Sequence, residues 1–184
     1  MLRALLSRQI TAMERTWGYD ATYLRDVLEV SPWALIRFGL VGSLGRGRRA
    51  PGEALAAAGI AGTLLEDCGP CTQISVDMAL HEGVEAGTLR GVLAGDEPAM
   101  GETAWLAYRF ARAILARDMA VADPLREEIV SRWGKGALVD IGMAIMASRL
   151  YPTLKYALGH GRTCSRVTLD GEAAAFRTPV RLAA

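Results

Sequence analysis

The sequence predicts an all-α fold. Ser31-Pro32 and Asp123-Pro124 each pair a capping side chain with a proline suited to the first helical position. Residues 103–119 carry apolar side chains (Trp105, Leu106, Tyr108, Phe110, Ile114, Leu115) near helical spacing. The 184 residues are 51% hydrophobic and 22% charged, which suits one globular domain with a sizeable core.

Along the chain, residues 2–14 are weakly amphipathic. Asp20 can cap a short helix that runs through Val30. Ser31-Pro32 starts an apolar helix over 33–44, broken by a basic glycine loop holding Arg46, Arg48 and Arg49. Pro51 opens an Ala-rich helix to about Glu66. A helix over 72–82 has a partly apolar face. Gly83 and Gly87 punctuate, residues 89–93 form a short helix, and 95–98 read as a loop. Asp123-Pro124 starts a helix that ends near Trp133-Gly134. The last long helix covers 136–158, with a kink expected at Pro152 and an end at Gly159 and Gly161. The tail over 163–184 is less regular, a hairpin or an arm for a neighbouring subunit. The expected organisation is a single domain of about seven or eight helices with an irregular tail.

Bulk properties exclude several functions. A net charge of +1 gives no electrostatic footprint for nucleic acid. The three arginines lack interleaved aromatics and read as a solvated loop. The most apolar runs, 33–44 and 137–147, are shorter than the ~20 residues of a membrane span and contain Arg37 and Asp140. They read as buried helices, and their apolarity points to a homo-oligomer. Three cysteines and no signal-peptide pattern at the N-terminus suit a reducing, cytoplasmic setting.

The sharpest motif is Cys68-Gly69-Pro70-Cys71. Two thiols at this spacing can close a small disulfide, and a helix start stabilises a thiolate through its dipole and free N–H groups. The spacing alone also fits half a zinc site or two packed core cysteines. His160 and Cys164 could complete a Cys3His set, although long helices separate the halves. A thioredoxin reading of CGPC needs a strand before the motif, and 54–65 is helical in composition. His81 lies nearly three turns past Cys71 and reads as a surface or capping residue. Trp105, Tyr108, Trp133 and Tyr151 read as core or subunit-interface residues.

The stretch 54–96 resembles the alkyl hydroperoxidase D-like / carboxymuconolactone decarboxylase superfamily. The carrying residues are Cys68-Gly69-Pro70-Cys71, then Gly83-Val84-Glu85-Ala86-Gly87 and the run from Leu89 to Gly95-Asp96. Residues 110–159 are similar to the family's second half, so the family-like core spans 54–160 behind N-terminal helices over 1–50. The resemblance implies a helical bundle, oligomerisation as dimers, trimers or hexamers, and no cofactor. It also implies dithiol chemistry on a small peroxide or a protein redox partner, with Cys71 attacking and Cys68 resolving.

The departures from the pattern are chemical. Ser75 stands where the redox branch carries a histidine, Pro70 where it carries tyrosine or histidine, and Ala56 where it carries glutamate. A serine hydroxyl is no base near neutral pH. Glu53, one turn before Ala56, is the replacement candidate for the base. Glu66 and Asp67 flank the pair, and negative charge there raises a thiol pKa. The expectation is a weak peroxidase or thiol–disulfide exchanger. The rival is a member that kept the fold and serves in binding or assembly.

Overall fold

Most helices begin where the chain supplies a proline or a short polar side chain, α1 and α6 being exceptions. The computed structural model describes residues 1–45, 47–161 and 167–174. Among them are eight α-helices: α1 Leu2–Trp17, α2 Thr22–Val30, α3 Pro32–Gly42, α4 Gly52–Leu65, α5 Gly69–His81, α6 Ala86–Ala94, α7 Glu97–Ala116 and α8 Met119–Ala157. A 3-10 turn, Ser43–Gly45, follows α3. The fold is an all-α bundle.

The start signals were read correctly at some sites and not at others. Ser31 caps α3 as its sequence predicts, its side chain accepting from the Ala34 N–H with Pro32 at the first position. Asp20 sits one residue before the α2 cap and accepts from the Thr22 N–H and hydroxyl. The weakly patterned 2–14 region is a full helix to Trp17. The predicted loop over 95–98 is already the entry to α7, with Asp96 at the cap and Pro98 in the first turn. Asp123-Pro124 is not a start. Asp118 caps α8 five residues earlier by accepting from the Val121 N–H, and Pro124 lies inside the helix. Gly134, at φ 84° and ψ 169°, breaks α8 where the sequence reading ends one helix and begins the next. Pro152 stays within helical backbone angles rather than interrupting them.

Two apolar clusters hold the bundle. The larger centres on α4, whose Ala54, Ala57 and Ala58 are fully buried against α7 and α8. Small side chains let helix axes approach closely, and Gly62 marks the closest point. A Cβ there would lie 2.0 Å from Ser148 Oγ on α8. The smaller cluster joins α1, α2 and α3 through Leu6, Ile10, Tyr23, Leu24, Leu28 and Leu35. It rests on Ile74 of α5 and on Tyr151 and Leu154 of α8.

The apolar run 33–44 is not buried as predicted. On α3 Leu35 is buried, while Trp33 is 67% and Leu40 65% exposed. These two residues and exposed Arg37 recur at i, i+4 and i+7, so they form an outward stripe. Residues 137–147 are mixed: Ala137, Ile141 and Ile145 are buried, and Val139 and Met146 are exposed. No helix among the described residues is long and apolar enough to cross a membrane.

The described part of the tail is a hairpin, β1 Thr168–Leu169 paired antiparallel with β2 Glu172–Ala173. Asp170 and Gly171 turn it at positive φ. Val167 and Leu169 are buried in the larger cluster, so the hairpin packs on its own chain.

Candidate functional site

The dithiol motif stands where α4 ends and α5 begins. The Glu66 N–H donates to Gly62 O and the Asp67 N–H to Leu64 O. Asp67 adopts φ 53°, a left-handed cap conformation that reverses the chain. Cys68 is the cap residue of α5, Pro70 lies in its first turn without an N–H to leave unsatisfied, and Cys71 completes that turn. The two sulfurs sit at bonding distance with Cα atoms 5.2 Å apart, inside the usual range for a disulfide.

The pair is buried, not set in an exposed turn as its Gly-Pro content suggests. Cys68 is 5% and Cys71 2% exposed. Beneath them lies a buried hydroxyl pair absent from the sequence reading. Thr72 Oγ1 is 3.1 Å from both Thr63 Oγ1 and the Cys68 carbonyl oxygen, and Thr63 Oγ1 donates to Ile60 O. This network ties the α5 cap to the last turn of α4.

The relay candidates do not converge on the sulfurs. Ser75 Oγ donates to the Cys71 carbonyl oxygen at 2.9 Å, so its hydroxyl serves the backbone. Glu53 is in the first turn of α4, whereas the dithiol follows its last turn. At 1.5 Å per residue the separation along the axis is about 18 Å. The structure therefore does not bring Glu53 to the sulfurs. Glu66 is turned away, ion-paired with Arg149 on α8, and its carbonyl oxygen accepts from the Tyr156 hydroxyl. That pairing offsets part of its negative charge beside the cysteines.

The remaining candidates fall elsewhere. His81 is exposed and packs edge-on against Trp17, with ring centroids 5.7 Å apart. His160 Nε2 lies 2.6 Å from Asp26 Oδ2. Cys164 lies outside the described residues, and among those described no three metal-ligating side chains cluster. Arg46 is likewise outside them. The backbone N–H groups of Arg48 and Arg49 donate to the Asp140 carboxylate, which closes the basic loop onto α8.

Two polar features beside the motif carry no local sequence signal. Gln73 on α5 accepts from the Thr168 N–H and donates to Thr168 O and to Asp77. Burial raises the Asp77 pKa, with the Gln73 hydrogen bond opposing it. At the C-terminal end of α8, Lys155 is buried with Nζ 5.2 Å from the Tyr19 ring centre and 5.6 Å from that of Tyr23. Burial lowers the lysine pKa and raises both phenols, whose rings meet edge-on at 6.4 Å.

What this arrangement can do is cycle between a disulfide and a dithiol at a helix N-terminus. Neither Ser75 nor Glu53 brings a base to the Cys71 sulfur. No family model matches the chain, no curated protein matches it, and no solved structure matches it.

Proposed function

We propose that the chain is a dithiol redox protein of the alkyl hydroperoxidase D-like / carboxymuconolactone decarboxylase class. The carrying observation is the placement of Cys68 at the cap and Cys71 in the first turn of α5, with their sulfurs at bonding distance. In the forward step the Cys71 thiolate attacks a peroxide oxygen. The S–O bond forms, the O–O bond breaks, and an alcohol leaves with a proton. The Cys68 thiol then displaces water from the sulfenic acid and closes the disulfide. A dithiol on a partner protein returns the two electrons. The same pair supports direct thiol–disulfide exchange without a peroxide.

Activity is expected to be weak. A free thiol ionises near pH 8.5, and a neighbouring base is worth about 100-fold or more. The helix N-terminus contributes about 1 kcal/mol, under tenfold. Ser75→His, placed one turn beyond Cys71, should raise the rate of Cys71 alkylation near pH 7 in the reduced protein. Peptide mapping after mild oxidation should recover the 68–71 disulfide with Cys164 free. A disulfide through Cys164 as the main product, or wild-type alkylation already as fast as Ser75→His, refutes this reading.

Burial of both sulfurs and the missing relay favour a second reading, a binding or assembly protein that kept the fold. In that case peroxide consumes the thiols slowly and without pairing. The exposed Trp33, Arg37 and Leu40 stripe on α3 supports a homo-oligomer, since apolar patches of this kind mark interfaces. Light scattering near 20 kDa, the protomer mass of 19.7 kDa, at micromolar concentration refutes it.

A further inference from the structure

A cleft of ≈ 1180 Å³ opens between α3, the end of α4, α7 and the second half of α8. Its walls are apolar, with Phe38, Ile114, Leu138 and Leu150 among them. Its polar lining is Arg117, Arg126, Arg149 and Thr153, and among the described residues no carboxylate lines it. Arg126 is ion-paired with Asp123 and Arg149 with Glu66, whereas Arg117 has no ion pair among the described residues.

Two lining residues break local preferences in opposite senses. Gly142 sits inside α8, where almost any other residue makes a better helix. Gly62 and Gly91 also lie inside helices and each answers to a close neighbour that a Cβ would strike, whereas Gly39 and Gly59, like Gly142, face open space. A Cβ on Gly142 would meet nothing within 4 Å, so no contact within the chain requires glycine there. Arg117 caps α7 in the left-handed conformation at φ 59°, the position where glycine is the usual residue. Gly142 thus leaves space in the cleft wall, and Arg117 in the same lining has no ion pair among the described residues.

We propose that this cleft binds a single-chain amphiphile with an anionic head, of the medium-chain carboxylate class. The tail lies along α8 over Gly142 and the head group meets Arg117. Charge decides against a second copy of the chain as occupant. A two-fold contact through this cleft would bring only its own lining against itself, and no carboxylate among the described lining residues is there to answer Arg117. The inference stands on the cleft alone and is independent of the dithiol reading.

The test is calorimetric titration of the full chain with decanoate below its micellar range, alongside decyltrimethylammonium, which keeps the tail and reverses the charge. Decanoate should bind saturably at one per chain and the cation at least about tenfold more weakly. Arg117→Gly, which suits the left-handed backbone, should weaken decanoate by about tenfold. Gly142→Leu, which fills open space and improves the helix, should abolish binding while melting no earlier than wild type. Four outcomes overturn the proposal: no saturable decanoate binding, equal affinity for the cation, unchanged affinity in Arg117→Gly, or retained binding in Gly142→Leu. A wild-type dimer that Gly142→Leu converts to monomers also overturns it, and makes the cleft an interface between copies.

Discussion

The α4-centred core and the α1–α3 layer are built on different principles. The core is dense, with small residues along α4 against larger apolar ones: Ala54, Ala57, Ala58, Ile60, Val76 and Ile129 are all 0% exposed. The layer buries Leu6, Leu24, Leu28 and Leu35 only to within 7–9% exposure, and turns Trp33 and Leu40 outward. Much of its attachment to α8 is aromatic and polar, through Lys155 against Tyr19 and Tyr23 and through His160 to Asp26. Close packing is insensitive to pH, whereas a seam of titratable groups is not. The core should therefore set global stability and the layer should open first.

The largest effect that can break this contrast is a cavity in each region. Ile60→Ala should cost about 3–4 kcal/mol and lower the global melting temperature. Leu28→Ala should cost nearer 2 kcal/mol, because its partly exposed site can relax. It should speed hydrogen exchange in α1–α3 and leave α4 protected. Equal acceleration in both regions would show one cooperative unit.

Alkaline titration sharpens the contrast next. Tyr19 and Tyr23 have pKa values raised above 10 by burial, so above pH 10 the unfolded chain releases phenolic protons that the fold retains. Stability is unaffected by them below pH 10 and falls as pH rises beyond it. Lys155, with its pKa lowered, acts oppositely between its folded value and 10.5, and Asp20 and Tyr151 face the same cluster. Two phenols outweigh one amine, so the layer should open above pH 10 before the core does. Tyrosine absorbance with exchange data reads this, and Tyr23→Phe should shift the onset upward.

The smallest effect is at Asp77. Its raised pKa means that the fold binds its proton more tightly than the unfolded chain, so its charge costs stability at neutral pH and the cost disappears as pH falls toward 3.8. Asp77→Asn keeps an acceptor for Gln73 and should stabilise by less than about 1 kcal/mol at pH 7, with no gain at pH 3. Urea midpoints at both pH values check it.

Much of this was legible where one short-range interaction decides the outcome. Ser31-Pro32 is local, and so is the Cys68–Cys71 spacing at a helix start. Asp123-Pro124 misleads because Asp118 offers an equivalent cap five residues earlier, and α8 continues through Pro124 although a proline there gives up one backbone hydrogen bond. Hydropathy marked 33–44 as apolar but says nothing about which face finds a partner. Gly-Pro favours an exposed turn, whereas the cysteines are buried beside a Thr63–Thr72 contact between two helices that no local pattern announces. Glu53 stands in the first turn of α4 and the sulfurs follow its last turn, so the length of the helix keeps them apart.

The grip of Gln73 on Thr168 spans 95 residues of sequence. A ribosome adding about 5–20 residues per second needs on the order of ten seconds to make that interval. Throughout it α5 has emerged without the hairpin that seals its flank, and the sites of Val167 and Leu169 stand empty. The nascent chain thus carries a finished dithiol motif on an unfinished body. Its cysteines meet the redox couples around the ribosome before the bundle has closed around α5.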